Sequence, residues 1–296
     1  MFSLKSWRAL LVREYREHRI PFFYFPLGII VLLALSAVSA LGFHRVNVLA
    51  NFPIPSGLKI YEIGYIGLIA LWLVYLAIVQ FFYFGDAFSA DRRNNAMFFW
   101  KSMPVSDLKI LASKFVAGAA MFPLVIFVMA ALTGLMHFVA VNLAALALPG
   151  LVPPDPLTAL ASFGQISLFG IVFMAIGMLW YAPFFAWVGG LSTVFGRWSL
   201  PLAFVIPGLI GVIENIVFFG NGPRGGYVWK YLTHRWQFGL NDFDYGQMVL
   251  MPGQFSAPTY IGRLVAETDW LSLVIGLIFA AVVVWLASEY RRRRIA

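Results

Sequence analysis

The sequence predicts an all-α integral membrane protein with six transmembrane helices, an N-terminal amphipathic helix at the interface and both termini in the cytoplasm. Of the 296 residues, 61% are hydrophobic and only 11% are charged, whereas a soluble domain carries about 25% charged residues. The apolar residues form long segments, each near the roughly 20 residues that a helix needs to cross a bilayer. Lys and Arg are concentrated on alternate connections between these segments.

The predicted spans are distributed evenly, which indicates a single transmembrane domain over 1–296. A Pro-rich stretch, 149–156, separates the third span from the fourth, because proline lacks the N–H and clashes with the preceding helical turn. If the third predicted helix continues past the bilayer, it includes the segment 142–148. We expect the first span to be retained, because Glu14 and Glu17 are atypical of a signal peptide. The approximate bounds of the spans are 21–43, 64–84, 115–139, 160–181, 200–219 and 270–288.

Orientation follows from the distribution of cations. With a cytoplasmic N-terminus, 15 of the 21 Lys and Arg residues lie on the inner side and the other six lie outside. The positive-inside rule therefore places both termini in the cytoplasm. The loop 85–110 is then cytoplasmic, and the longest connection, 220–269, lies at the outer face. This distribution explains the net charge of +8 by membrane orientation, so we expect no nucleic-acid partner.

The N-terminal segment 1–20 predicts a helix that lies in the membrane interface. Leu4, Trp7, Leu11 and Tyr15 recur at helical spacing, and cations occupy much of the remaining surface. Such a helix braces the first span with its cations near anionic lipid headgroups. The alternative is a positively charged flank that only sets the topology.

Motifs for intrinsic chemistry are missing from the sequence. It contains no G-x-x-x-x-G-K-[ST] phosphate loop, no H-E-x-x-H and no G-x-S-x-G. There are no cysteines, so thiolate metal sites are impossible. The sequence therefore predicts a chain that is not an enzyme and holds no metal or cofactor of its own. The four histidines are scattered along the chain, at His18, His44, His137 and His234.

The loop between the second and third spans has the most informative composition. It begins with charged residues and continues with three consecutive aromatics at 98–100. Aromatics flanked by cations are typical of a docking surface, and they are equally typical of an aromatic belt at the membrane interface. The pattern alone leaves both interpretations open. After Pro104, either Ser106 or Asp107 could cap the next helix.

The run 91–107 resembles a loop of bacterial ABC-2 type permeases, the membrane subunits of ATP-binding cassette exporters. Many of these permeases have an acidic–basic pair, a short variable stretch and then Phe-Trp-Lys-Ser-x-Pro-Val-Ser-Asp, with Ser-Lys opening the next helix. This chain has Ser113 and Lys114 at the last position. The residues that the resemblance places in contact with the ATPase subunit are Asp91, Arg92, Arg93, Phe98, Phe99, Trp100, Lys101, Ser102, Pro104, Val105, Ser106 and Asp107.

The resemblance implies a permease subunit that exports a substrate using ATP hydrolysed elsewhere. The loop would form a coupling helix seated in a cleft of the ATPase, and the ATPase subunits, not this chain, would bind ATP and Mg²⁺. The permease would work as a homodimer, or as a heterodimer with a related permease, surrounded by lipid in the bacterial cytoplasmic membrane. Part of 220–269 would form short re-entrant helices at the outer face.

Three further features allow a functional or a structural interpretation. Glu214 lies near the outer end of the fifth span, where an acid either lines a pathway or gate or pairs locally at the interface. Asp242 and Asp244 are a weak candidate for a cation site. The loop 188–199 is either a second ATPase contact or a plain turn, and we favour the turn.

The alternatives belong to other functional classes. An ion-coupled secondary transporter should show several buried acids or broken helices, and a scaffold or sensor subunit needs no transport machinery. A lipid-modifying enzyme should show a cluster of His, Asp or Glu at a membrane face, which the sequence lacks. For an exporter, drug, peptide, lipid-linked sugar and ion all remain open as substrates.

Overall fold

The structure is a computed structural model, and within the residues that it describes every secondary-structure element is helical, as the sequence predicts. Five of the proposed ATPase-contact residues, 98–101 and 104, lie outside the described residues. The described residues are 4–42, 56–94, 102, 105–147, 150–218, 226–240, 242–250 and 254–294.

The described part of the chain contains short helices at both ends of a bundle of long ones. A π-helical turn, Ile20–Tyr24, precedes α2, another, Ala117–Met121, joins α5 to α6, and a 3-10 turn, Gly196–Trp198, joins α7 to α8. The helices are α1 (Leu4–Glu17), α2 (Phe25–Gly42), α3 (Gly57–Ala87), α4 (Ala90–Arg93), α5 (Asp107–Val116), α6 (Phe122–Ala147), α7 (Pro156–Phe195), α8 (Ser199–Phe218), α9 (Tyr227–Trp236), α10 (Asp242–Leu250), α11 (Ala257–Glu267) and α12 (Trp270–Arg294).

Five stretches among the described residues are long and apolar enough to cross a membrane, which suggests a multi-pass membrane protein. This number differs from the six separate spans that the sequence predicts, because one stretch contains both the fourth and the fifth predicted span. The stretches are Ile20–Ser39, Gly57–Ala87, Asp107–Leu146, Pro156–Val217 and Trp270–Arg293.

The stretch that contains two predicted spans folds back on itself as a hairpin of α7 and α8. Trp187 Nε1 donates to the backbone oxygen of Ala203 at 3.4 Å, although 16 residues of straight helix would separate them by about 24 Å. The chain reverses at Gly196, whose φ of +57° lies in a region that strongly favours glycine. Ser199 Oγ then donates to the backbone oxygen of Gly85 at 2.8 Å and fixes the start of α8 against α3.

The helices extend beyond the predicted spans. Helix α3 begins seven residues before the predicted start at 64, and Ser56 caps it by accepting from the backbone N–H of Lys59 at 3.2 Å. Helix α7 contains Pro183 and extends into the predicted turn 188–199, where it ends at Phe195. Helix α6, which contains most of the third predicted span, reaches Ala147. Most of the predicted extension 142–148 is therefore confirmed.

Helices α3 and α7 form the centre of the bundle. Helix α7 packs against α3, α8, α11 and α12, and α3 also packs against α6. Trp72 on α3 is buried, and its Nε1 donates to Thr133 Oγ1 on α6 at 3.1 Å. At the next residue of α6, the missing side chain of Gly134 leaves room for the ring of Tyr65. This close approach orders the helices whose ends carry the charged groups described below.

Helix α1 is confirmed as a helix, and Trp7, Leu11 and Tyr15 of the predicted apolar stripe are half-buried. Its buried residues are Leu10 and Glu14, whereas Leu4 is exposed. Leu10 packs with Ile110 of α5 and with Val105 just before it. An acid therefore occupies the inward face, and α5 supplies its counter-charge.

Candidate functional site

A buried group of charged and polar side chains joins five helices at one end of the bundle. It includes residues near the N-terminus, residues from both ends of the 91–107 run and a residue near the C-terminus. We name it the charge network and the end that carries it the network end. Its members are Arg13 and Glu14 on α1, Tyr83 on α3, Asp91 on α4, Asp107 and Lys114 on α5, and Arg291 on α12.

Asp91 lies at the centre of the charge network, and its side chain is 1% exposed. Its Oδ1 accepts from Arg13 Nη2 at 3.1 Å, and Lys114 Nζ lies 3.7 Å from the same oxygen. Its Oδ2 accepts from Arg291 Nη1 at 2.9 Å. Three cations from three helices therefore converge on one buried carboxylate.

Glu14 forms the second centre of the network. Its Oε1 lies 3.2 Å from Lys114 Nζ, and its Oε2 accepts from Tyr83 OH at 3.1 Å. The Tyr83 hydroxyl also lies 2.9 Å from the backbone oxygen of Lys114. The side chain of Lys114 is completely buried, so this cation binds α1 and α4 to α5.

Arg291 links the two ends of the 91–107 run. Its Nη1 donates to Asp91, and its Nε donates to Asp107 Oδ1 at 2.8 Å. The Arg291 side chain is 1% exposed, and it lies in the last turn of the final helix. A single guanidinium group thus fixes where the run begins and where α5 starts.

The charges of the network balance, with three cations and three carboxylates. Burying an ion costs several kcal/mol unless a partner and hydrogen bonds compensate it. Burial alone would raise the pKa of Asp91, but the nearby Lys114, Arg291 and Arg13 lower that pKa below its usual value of 3.8. Asp91 is therefore held as a carboxylate at neutral pH.

The predicted ATPase-contact residues divide into buried and exposed groups. Asp91 is enclosed by this chain, so any contact with a partner would act through its neighbours. Arg92 and Arg93 are exposed, and Arg93 Nη2 donates to Asp86 Oδ2 at 2.9 Å. Ser102 is exposed as well. The contact itself stays a prediction for all of these residues.

The C-terminal part of the run has a structural role in starting α5. Ser106, not Asp107, is the N-cap: its side chain accepts from the backbone N–H of Lys109 at 3.3 Å. Ser106 is exposed and Val105 is half-buried. Asp107, 20% exposed, turns toward Arg291. One of the two predicted caps is therefore used, and the other belongs to the charge network.

A metal site at the network end has little support. The ligand atoms of Glu14, Glu17 and His18 lie within 4.8 Å of one another. However, both oxygens of Glu14 already pair with Lys114 and Tyr83. The charge network therefore already engages the carboxylate of Glu14.

Glu214 caps a helix in the segment 220–269. Its Oε2 accepts from the backbone N–H of Val228 at 2.9 Å, in the first turn of α9. This contact agrees with local pairing at the interface, although the partner is a backbone group that the sequence did not indicate. A negative charge near the start of a helix also interacts favourably with its dipole.

A second set of buried charges at the other end of α3 escaped the sequence analysis. Lys59 Nζ lies 3.3 Å from Glu62 Oε2 and donates to the backbone oxygen of Met248 at 3.2 Å. Glu62 Oε1 accepts from Ser162 Oγ at 2.7 Å and from the backbone N–H of Phe255 at 3.0 Å. The i, i+3 spacing of Lys59 and Glu62 is the sequence signal for this pair. The predicted span begins at 64 and therefore excludes both residues.

In the weak candidate for a cation site, Asp242 and Asp244, the second carboxylate is paired with an arginine of this chain. Asp242 begins α10, and Asp244 is buried and paired with Arg263 of α11. Gln247 also accepts from Arg263 Nη1 at 3.1 Å. The arginine thus supplies the positive charge that a cation would have brought to Asp244.

Comparison of the chain with protein-family models, with curated proteins and with solved structures finds no match. Its function is therefore inferred from its own residues and their arrangement.

Proposed function

We propose that the chain is the membrane permease subunit of an ABC-type exporter, which moves a substrate using ATP hydrolysed by a separate ATPase subunit. The observation that carries this proposal is the contact of Arg291 with both Asp91 and Asp107. These acids are the first and last residues of the run 91–107, which resembles the coupling loop of ABC-2 permeases. A loop that receives force from a partner needs anchored ends, and the charge network supplies the anchors.

The network gives the loop a mechanical connection to the bundle. Asp91 pairs with Arg13 on α1, Lys114 on α5 and Arg291 on α12. When the loop moves, these helices either move with it or lose ion pairs that are buried and costly to break. Closure of the ATPase pair on ATP would therefore shift several helices together, as a two-state transporter requires.

The proposed topology has six spans with both termini in the cytoplasm. Arg13 and Arg291 meet at Asp91, so the N-terminal helix and the end of α12 lie at the same end of the bundle. A chain whose two terminal helices meet on one side crosses an even number of times. The hairpin of α7 and α8 supports counting two crossings in the stretch Pro156–Val217.

The same arrangement supports a re-entrant outer segment. Arg235 at the end of α9 is completely buried, and its Nη1 donates to the backbone oxygen of Trp180 at 2.8 Å. Trp180 lies 24 residues into α7, about 36 Å from the start of that helix. Helix α9 therefore reaches the bundle far from the Pro156 end of α7. We propose that it dips into the bilayer.

The proposal extends to partners and location. The chain would form a homodimer, or a heterodimer with a related permease, in the bacterial cytoplasmic membrane. Two ATPase subunits would bind ATP and Mg²⁺, and the exposed Arg92 and Arg93 would lie beside their docking cleft. The chain itself would have no enzymatic activity and would contact lipid along its spans.

An ion-coupled secondary transporter is the second candidate, because Glu62 is a buried acid on a candidate span. Such transporters use buried acids as ion or proton sites. Glu62 is paired with Lys59 and accepts two further hydrogen bonds, which gives it a structural role that needs no ion. For this reason the exporter proposal is preferred.

Co-purification in a mild detergent tests the exporter proposal. We expect an ATP-binding cassette subunit to accompany the chain, and a Phe99→Ala, Trp100→Ala double variant to lose transport and ATPase association while inserting normally. The matched control is Phe195→Ala with Trp198→Ala, which removes two exposed aromatics from the α7–α8 turn. Repeated purification without such a partner would overturn the proposal in favour of the second candidate or a scaffold subunit. Unchanged association in the loop variant would disprove the docking assignment.

A further inference from the structure

A cavity of about 290 Å³ lies at the end of the bundle opposite the charge network. Its walls come from the start of α3, from α10 and α11, and from the segment before α11. The distance between the cavity and the charge network can be measured along α3. Glu62, beside the cavity wall, precedes Tyr83 of the network by 21 residues, or about 31 Å. This separation matches the roughly 30 Å thickness of a hydrocarbon core. The cavity therefore lies at the level of the headgroups on the far side of the membrane from the network.

Two ion pairs at the cavity are oriented in the same way, with the cation toward the cavity and the carboxylate away from it. Lys59 and Arg263 line it, whereas their partners Glu62 and Asp244 are buried behind them, at 1% and 3% side-chain exposure. Among the described residues, neither carboxylate lines the cavity. Each ion pair is thus a fixed dipole whose positive end faces the cavity.

Arg263 is positioned to receive a ligand. Its side chain lines the cavity and remains 39% exposed, although its Nη1 contacts Asp244 and Gln247. A half-exposed arginine held from behind by a carboxylate is preorganised, because little side-chain entropy is lost when a ligand binds. Arg263 also lies over the ring of Tyr260, 5.9 Å from its centroid.

The cavity also has an apolar wall. The rings of Phe255 and Tyr260 are stacked with their centroids 5.1 Å apart, and Met248 lies beside them. A ligand that satisfies this surface carries an apolar part next to its charged group. The volume is at the lower end of the range for ligand pockets, about 300–1,000 Å³, so it suits a headgroup rather than a whole lipid.

We propose that this cavity binds a phosphate oxyanion, carried by an acidic phospholipid headgroup or present as free phosphate. Arginine and lysine are the side chains that recognise phosphate oxygens, and the adjacent bilayer is a source of phosphate attached to hydrocarbon. The site does not depend on an ATPase partner, because none of its residues belongs to the charge network.

Calorimetric titration of the full chain in detergent tests this site with three probes. They are dihexanoyl phosphatidic acid, inorganic phosphate and the uncharged dihexanoyl glycerol. A Thr259→Trp variant fills the cavity from an exposed position on α11 and leaves both ion pairs in place. Val265→Trp is the control, because Val265 is exposed on the same helix and does not line the cavity.

We expect phosphatidic acid to bind, dihexanoyl glycerol not to bind, and Thr259→Trp to weaken binding at least about tenfold. Val265→Trp should change the affinity by no more than about twofold. An Asp244→Asn, Arg263→Gln double variant removes the charge without leaving a lone buried carboxylate, and it should weaken binding as strongly.

Binding of inorganic phosphate with the same variant pattern would identify free phosphate as the ligand, and binding of the lipid alone would identify a headgroup. Absence of binding by both phosphate probes, equal binding of the uncharged lipid, or full affinity in Thr259→Trp would overturn the proposal.

Discussion

Arg291 and Asp91 form an ion pair between residues that are 200 positions apart in the chain, with 2.9 Å between Nη1 and Oδ2 and each side chain 1% exposed. The arginine belongs to the last helix, and the carboxylate belongs to the run that resembles a coupling loop. This contact holds the end of the last helix against the start of the loop.

Substitution of Arg291 should destabilise the protein strongly. In Arg291→Met the buried Asp91 and the partly exposed Asp107 lose a partner, and removal of one member of a buried ion pair costs about 3–5 kcal/mol. We expect a corresponding fall in unfolding free energy, measured by denaturation in mixed detergent micelles. The control is Arg292→Met, whose arginine is 66% exposed and pairs with Glu289, and such a surface pair contributes about 0–1 kcal/mol. Equal effects of the two variants would show that the charge network does not stabilise the fold.

The charge network should also make stability depend on pH in the acidic range. The pKa of Asp91 is lower in the folded protein than its usual value of 3.8. Its contribution to stability is therefore complete above that value and disappears as the pH falls through the lower folded pKa. The difference in midpoint temperature between wild type and Asp91→Asn should be constant near neutral pH and shrink below about pH 4. A difference that stays constant down to pH 3 would contradict this assignment.

Glu214 should act on the stability of α9 rather than on transport. Its carboxylate accepts from the backbone N–H of Val228, and loss of a capping side chain costs about 0.5–2 kcal/mol. Glu214→Ala should speed hydrogen exchange in the first turn of α9, whereas Glu214→Gln retains an acceptor oxygen and should exchange nearly as wild type. If Glu214→Gln abolished transport with normal exchange, Glu214 would be a pathway residue instead.

Two glycines on long helices should respond oppositely to alanine. A Cβ at Gly134 would collide with the ring of Tyr65, while a Cβ at Gly164 would meet nothing within 4 Å. Overpacking costs about 1–3 kcal/mol, so Gly134→Ala should lower the thermal midpoint. Gly164→Ala should leave it unchanged or raise it, because alanine favours a helix by about 0.5–1 kcal/mol over glycine. A midpoint for Gly134→Ala at or above wild type would mean that α3 and α6 pack less closely.

The sequence predicted the helices well but not their ends. Long apolar runs identify helices reliably, since a helix satisfies its backbone hydrogen bonds within one continuous segment inside a bilayer. The start of α3 was placed at 64 because Lys59 and Glu62 are charged, and a hydropathy rule ends a span at charges. The structure buries both, because Met248, Ser162 and Phe255 supply their partners. These partners come from positions up to 193 residues away, which no local pattern contains.

The candidate site was predicted only in part for the same reason. The resemblance indicated Asp91 and Asp107, since both belong to a recognisable local run. It gave no sign of Arg291 or Glu14, whose roles arise only when α12 and α1 pack beside that run. The docking role of the run's aromatic residues remains a prediction, because that proposed role requires a second chain.

The pairing of Asp91 with Arg291 also sets an order of events during synthesis. Translation proceeds at about 5–20 residues per second, so the 200 residues that separate the pair take on the order of 10–40 s to make. Arg13 precedes Asp91 and Lys114 follows 23 residues after it, so for most of that interval these two are the network cations already synthesised. A chain that stops before its last helix therefore retains an incompletely neutralised buried acid.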